Sequence, residues 1–132
     1  MAFIAKDDPE FWSAGPEFLQ AIKQQAEAYG LKVANFMMGA QQDDQAPVAT
    51  VMYMPPNFVL PRHAHDCYRV EVIVQGSVDT GDRVLNVGDV MVSAPNEFYG
   101  PHTAGPEGSL SVEIFSRAKA QQAIGVQPSA TE

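Results

Sequence analysis

The stretch PRHAHDCYRVEVIVQG, residues 61–76, decides the fold of this chain. It holds two of the three histidines, His63 and His65, one residue apart, and then alternates up to Gly76. Side chains two residues apart on a β-strand point to the same face of the sheet. A regular strand through this stretch would therefore carry its polar and reactive side chains on one face: His63, His65, Cys67, Arg69 and Glu71.

The segments on either side predict one helix and many short strands. Residues 16–29, PEFLQAIKQQAEAY, carry an apolar stripe with Pro16 at the start and Gly30 after the end, which predicts an amphipathic helix. On this helix Tyr29 would lie on the packed stripe and Lys23 would face away. Short valine-rich segments separated by turn residues predict strands at 31–39, 48–54, 68–75, 83–88, 89–95 and 109–116.

This order of elements predicts a single all-β domain over residues 1–132. Many short strands at regular spacing indicate a β-sandwich or barrel with the helix outside it. We assign residues 1–30 to a helical segment, 31–118 to the barrel and 119–132 to a frayed tail. Residues 101–108, PHTAGPEG, have the chemistry of a turn.

Charge and composition exclude several classes of function. The net charge of −8 disfavours nucleic acid and anionic membranes, which both require clustered Lys and Arg. No apolar run is long enough to cross a bilayer, and the start MAFIAKDDPEFW does not have the pattern of a secretory signal. The single cysteine, Cys67, cannot form an internal disulfide. We expect a cytoplasmic protein with a small-molecule partner.

The paired histidines predict a metal site. Two imidazoles on one stiff strand supply two neutral nitrogen ligands of the kind that divalent transition metals bind. The third histidine, His102, follows in EFYGPH, where an antiparallel neighbour could return it to the same cavity. The alternative for His63 and His65 is the more common role of a histidine, on the surface or hydrogen-bonded in the core.

The segment from Pro55 to Ser116 resembles the cupin superfamily. The first cupin motif has a glycine, five residues, a His-x-His pair, a glutamate and a closing glycine, and this chain offers Asn57, His63-Ala64-His65 and Gly76. Asparagine tolerates the left-handed backbone that the leading glycine supplies. The stretch GDVMVSAPNEFYGPH of this chain resembles the second cupin motif, with Gly88, Pro95 and His102. The resemblance implies a cupin jelly-roll barrel, also called a double-stranded β-helix.

The chain departs from both motifs at the metal ligands. Arg69 stands seven residues before Gly76, where the family has its glutamate, and Glu71 lies two residues later on the same face. Gly100 occupies the usual histidine position of the second motif, two residues before His102. The resemblance implies either a site for Fe, Ni, Mn or Zn on His63, His65 and His102, with Glu71 as a further ligand or a base, or a degenerate site.

Three side chains are candidates for catalysis or substrate binding. Arg69 beside a metal cation would be poorly placed unless an anionic substrate, a carboxylate or enolate, lay between them. Alternatively, Arg69 pairs with Glu71 or Asp66 and has no direct role. Glu71 in an apolar strand would have the raised pKa that a general base needs. Tyr99 is a candidate hydrogen-bond donor at the mouth of the cavity.

Three functions follow from this site. The first is a metal-dependent enzyme acting on a small organic acid or diketone-like compound, as a dioxygenase-type oxidoreductase or an isomerase or lyase. The second is a non-catalytic small-molecule-binding or sensory cupin with a degenerate metal site. The third is a scaffold with a vestigial site. The resemblance also implies a homodimer, which would cover the apolar face of Tyr68, Val70, Val72 and Val74 if neither the helix nor a second sheet does.

Overall fold

A computed structural model of the chain describes residues 1–127. Its one α-helix, α1, spans Gln20–Ala28, and short 3-10 helices lie at Phe11–Ser13, Glu17–Leu19 and Ala118–Gln121. No helix in this range is long and apolar enough to cross a membrane. The nine strands are β1 (Lys32–Met37), β2 (Val48–Met54), β3 (Val59–Leu60), β4 (Arg62–Ala64), β5 (Arg69–Asp79), β6 (Val84–Leu85), β7 (Val90–Ser93), β8 (His102–Phe115) and β9 (Ile124–Gln127).

The strands form one large and one small antiparallel sheet. The seven-stranded sheet runs in the order β1-β2-β8-β5-β6, with β3 beside β8 and β7 beside β5. The small sheet pairs β4 with β9. The predicted all-β architecture with one short outer helix is confirmed.

The inner face of the large sheet has a polar layer between two apolar clusters. Strands β5 and β8 pair so that Arg69 lies opposite Phe115, Glu71 opposite Glu113 and Ile73 opposite Ser111. One cluster includes Met52, Met54 and Ile73, and the other includes Leu19, Val48, Cys67 and Phe115. The row through Glu71 and Glu113 continues into Thr50 and Asn35 of β2 and β1, all four buried. The register therefore places ionisable groups at the centre of the barrel.

Asn57, which was predicted to have a left-handed backbone, has one, and so does Gly76, which was predicted as the closing turn. Asn57 has φ 64°, as expected for a residue standing where the motif has glycine. Gly76 has φ 72°, and a Cβ added there would lie 2.0 Å from the carbonyl oxygen of Gly108. The turn that ends the histidine stretch thus requires glycine on both conformational and steric grounds.

Two sequence predictions at the C-terminal side are wrong. Residues 102–108 are not a turn but the first half of β8, where Thr103 pairs with Val59 and Ala104 with Val78. The predicted frayed tail contains Ala118–Gln121 and β9, which pairs with β4. A paired strand satisfies backbone groups that a frayed tail would leave to water. The tail residues 128–132 lie outside the described residues.

The predicted faces of α1 are wrong at two positions. Tyr29 is 71% exposed, whereas Lys23 is 5% exposed. The Lys23 ammonium donates to the carbonyl oxygens of Trp12 and Val33 and forms an ion pair with Glu27. The buried stem of Lys23 packs inside while its charged end is fully hydrogen-bonded, which the hydrophobic pattern alone does not reveal.

The outer face of β5 and β7 is apolar and exposed. Val70 pairs with Val92 and Val72 with Val90, so the four valines share one surface. Val90 is 53% exposed and Val92 is 72% exposed. Helix α1 packs on β1 at the far edge of the sheet, so it does not cover this surface. The sequence analysis expected the helix, a second sheet or a second subunit to bury this surface. Burial by a second subunit stays a prediction.

Sedimentation or light scattering should show a dimer, and Val92→Lys should shift it to monomer because a buried lysine would lose its hydration. Val87→Lys is the matched control, since Val87 is 63% exposed but lies in the turn before β7. A monomeric wild type, or equal effects of the two variants, would contradict the prediction.

Candidate functional site

The three predicted histidines lie close to the predicted Tyr99. His63 lies on β4, His65 just after it, and His102 is the first residue of β8. Tyr99 precedes β8, and its N–H and C=O pair with the C=O and N–H of His63 at 2.9 and 3.0 Å. This backbone pairing holds the Tyr99 loop against β4.

The ring of Tyr99 lies among the three histidines. Its centroid is 4.5 Å from that of His63, 6.1 Å from that of His65 and 5.2 Å from that of His102. The rings of His63 and His65 are themselves 5.0 Å apart, edge to face. The three histidine rings therefore surround the ring of Tyr99.

Arg69 lies beneath the Tyr99 ring and pairs with two carboxylates. Its Cζ atom is 4.1 Å from the ring centroid, a cation–π contact. Its Nη1 donates to Glu71 Oε1 at 3.0 Å and to Glu113 Oε1 at 2.6 Å, and its side chain is fully buried. The pairing with Glu71 matches one of the two alternatives for Arg69, whereas Asp66 pairs with Arg117 instead.

Two donors of Arg69 have no partner in residues 1–127. Its Nε and Nη2 atoms are buried and make no hydrogen bond there. Leaving such a donor unsatisfied costs about 1–3 kcal/mol, and more for a charged group. The Nε and Nη2 hydrogens of a guanidinium form one edge of its fork, which matches two acceptor oxygens. The described residues, 1–127, therefore leave one edge of the buried guanidinium without an acceptor.

The histidines are neutral and have defined tautomers. Nδ1 of His63 lies 2.7 Å from the carbonyl oxygen of Pro61, and Nδ1 of His65 lies 3.0 Å from that of Ala120. A carbonyl only accepts, so each Nδ1 carries the hydrogen and each Nε2 keeps a lone pair. Burial lowers the pKa of all three imidazoles, and burial with the nearby His63 lowers the pKa of His65 to about 4.

The groups around Arg69 are also shifted from their ordinary pKa values. Burial and the neighbouring Glu71 raise the pKa of Glu113 to about 8, although Arg69 opposes the shift. Burial raises the pKa of Tyr99 so that the phenol stays protonated. Burial alone would lower the pKa of Arg69, but Glu113, Tyr99 and Glu71 together raise it. At neutral pH the site thus holds one fixed guanidinium charge.

The predicted metal ligands do not fit a metal ion in this arrangement. Within residues 1–127, no three His, Cys, Asp or Glu side chains come together as a metal-binding group. Glu71 is engaged by Arg69, and the positive charge of this guanidinium would oppose a second cation nearby. The Nδ1–carbonyl bonds do suit metal-binding imidazoles. Metal binding by His63, His65, His102 and Glu71 stays a prediction.

A groove of about 440 Å³ opens beside Tyr99 and His102. Apolar side chains line part of it, those of Leu85, Val90, Met91, Val92 and Phe98, and polar or charged side chains line the rest. Volumes of this size are typical of small-molecule sites. Of the histidine cluster, His102 lines the groove, and Tyr99 separates the groove from Arg69.

Sequence reasoning missed Glu113 and a neighbouring amide network. Glu113 shares strand parity with Ser111 and Phe115, and the more apolar set, Val112 and Ile114, faces outward instead. Further along the polar layer, Asn35 Oδ1 accepts from Thr50 Oγ1 at 2.8 Å and from Gln121 Nε2 at 2.6 Å. The sequence did offer one signal, because Glu113 is the one charged residue in the predicted strand at 109–116. A charged residue in a paired strand either faces solvent or has a role in a buried site.

Acid should destabilise the fold through His65. The unfolded state binds a proton below pH about 6.5, whereas the folded state resists it down to about 4, so the free energy of unfolding falls as pH drops through this window. Asparagine retains an N–H for the Ala120 carbonyl without titrating. Urea unfolding at pH about 7 and about 5 should therefore show a weaker pH dependence for His65→Asn. Identical dependence in wild type and variant would contradict the assignment, and Tyr68→Phe on the outer face is the control.

Comparison with known proteins yields structural likeness only. No protein-family model matches the chain, and no curated protein matches it. Solved structures that match include an RmlC-like cupin protein from Ralstonia eutropha, at 20% identity over 66% of this chain and 56% of that chain, with TM-score 0.52. The polyketide cyclase RemF from Streptomyces resistomycificus matches at 17% identity over 76% and 73%, with TM-score 0.58.

A third match is the structure of Rhodobacter sphaeroides SigE in complex with the anti-sigma ChrR, at 15% identity over 65% and 44%, with TM-score 0.55. The chain thus spans little more than half of the first protein and less than half of the third. At sequence identities this low, the structural likeness establishes the fold of the chain but not its activity. With its antiparallel strands, its two motif turns and these neighbours, the chain has the double-stranded β-helix fold of the cupin superfamily.

Proposed function

We propose that this protein is a small-molecule-binding cupin that takes a small organic acid or diketone-like compound beside Tyr99, with Arg69 supplying the positive charge that a metal would supply in a metal-dependent site. The observation that carries the proposal is the buried guanidinium with two unpartnered donors. A buried donor without a partner is rare, and it commonly marks a place for water or a ligand.

The chemistry of the ligand follows from the groups around Tyr99. The Nε and Nη2 donors of Arg69 match two adjacent oxygens, as in a carboxylate or the two carbonyls of a diketone. The Nε2 lone pairs of His63 and His65 accept hydrogen bonds, so hydroxyl or enol groups would complement them. A compound with several oxygens on a short carbon skeleton satisfies both requirements.

Charge supports recognition without a resident metal. Arg69 is held among the histidines by two carboxylates and by Tyr99, and removing it would leave those carboxylates buried together. The guanidinium is therefore a permanent part of the site. A binding or sensory role, read out through a partner protein, requires no further group from this chain.

The second candidate is a metal-dependent enzyme, as a dioxygenase-type oxidoreductase or an isomerase or lyase. The observation that favours it is the Nδ1–carbonyl bond of His63 and of His65, which fixes each ring in the tautomer that metal ligands use. Fe, Ni, Mn or Zn would supply Lewis-acid chemistry there when bound. Glu71 would first have to leave Arg69 before serving as a ligand or base.

Nuclear magnetic resonance tests the proposed site directly. Adding malonate or acetylacetone, an acid and a diketone, should shift the ring signals of His102 and Tyr99, which line the groove, and leave the exposed Tyr68 unchanged. Met91→Trp, which fills the groove, should abolish the shifts, and Val87→Trp should not. Absence of any shift at millimolar concentrations of either compound would contradict the proposal.

A further inference from the structure

We infer that the groove selects an organic anion, with Arg62 and Arg83 at its rim as the residues that determine specificity for a carboxylate. This inference rests on the proposed function and narrows its ligand class. Both arginines line the groove, and Tyr99, which also lines it, stacks on Arg69. Two of the four arginines in a chain of net charge −8 therefore line this groove, and a third, Arg69, lies beneath one of its lining residues.

The side chain of Arg62 and the backbone of Arg83 are held in place, and neither guanidinium is neutralised by a carboxylate. Arg62 donates from Nη1 to the carbonyl oxygen of Gly100 at 3.3 Å, and its Cζ lies 5.6 Å from the centre of the Phe98 ring. The Arg83 backbone is fixed by the Thr80 turn, whose hydroxyl and N–H both bond to it. Neither guanidinium has a carboxylate within 4.0 Å in residues 1–127, whereas the fourth arginine, Arg117, pairs with Asp66.

The charge of the rim remains positive when its acidic neighbour is counted. Asp82 is the one carboxylate among the groove-lining residues, against two arginines. His102, which also lines the groove, is neutral because burial lowers its pKa. A positively charged groove opening attracts an anionic ligand, even though the protein as a whole is acidic.

The lining defines the rest of the ligand. Leu85, Met91 and Phe98 offer apolar contact within the groove. A carboxylate at Arg62 and Arg83, with a second oxygen on the adjacent carbon, would then place a short apolar body against these side chains. A branched-chain 2-oxo acid has this distribution of groups, and its methyl ester has the same shape without the charge.

Calorimetry with 4-methyl-2-oxopentanoate and its methyl ester tests the inference. We expect the acid to bind wild type and the ester to bind at least about tenfold more weakly, the loss typical of one charge-assisted hydrogen bond. The double variant Arg62→Gln/Arg83→Gln should weaken binding of the acid by a similar factor and leave the affinity for the ester unchanged. Arg117→Gln is the matched control, since it removes an arginine away from the groove. Affinity for the acid should also fall when sodium chloride rises from about 50 to about 500 mM.

The outcomes separate this inference from the proposed function. The role of the rim arginines would be overturned if wild type bound the ester as tightly as the acid. It would also be overturned if the double variant bound the acid as tightly as Arg117→Gln does. In either case the groove would remain a binding site. Failure of both compounds to bind, together with unshifted His102 and Tyr99 signals, would overturn the proposed function itself. Matched thermal midpoints for the variants would confirm that each is folded.

Discussion

The buried guanidinium of Arg69, shared by Glu71 and Glu113 and capped by the ring of Tyr99, is the interaction on which the rest of the site depends. Removing charges from water is costly, and breaking a buried pair by deleting one partner typically costs about 3–5 kcal/mol. The cluster is tolerable because its members compensate one another: Glu113 has a raised pKa, and Arg69 stays charged. The remaining cost lies in the two donors of Arg69 that find no partner in the described chain.

Strand register creates this cluster. Pairing of β5 with β8 sets Glu71 directly opposite Glu113, and the next strands extend the same row to Thr50 and Asn35. The C-terminal segment closes over the row, since Gln121 bonds to both Asn35 and Thr50 and the Ala120 carbonyl accepts from His65. A polar layer at mid-barrel, with apolar clusters on either side, gives the interior one specific arrangement, because a slipped register would bury these groups unpaired.

Much of the fold and part of the site could be predicted from the sequence. The regular strand expected through residues 61–76 is wrong, because the stretch divides into β4, which pairs with β9, and β5, which lies in the large sheet. Turn chemistry and alternation did locate β2, the start of β5 and the left-handed Asn57. These features depend on local backbone rules. Glu113 could not be placed because β8 turns its more apolar set outward, which depends on what covers that face. The strand in the C-terminal segment was missed because β9 is exposed and owes its structure to β4, a partner some sixty residues away.

The central claim is that Arg69 occupies the role of a metal in this cupin fold. Elemental analysis of untagged protein, purified after growth with added iron, nickel, manganese and zinc, tests it most directly, beside the His63→Ala/His65→Ala double variant. The account predicts far less than one metal ion per chain in wild type and no difference between the two proteins. Near-stoichiometric metal in wild type that disappears in the double variant would contradict it.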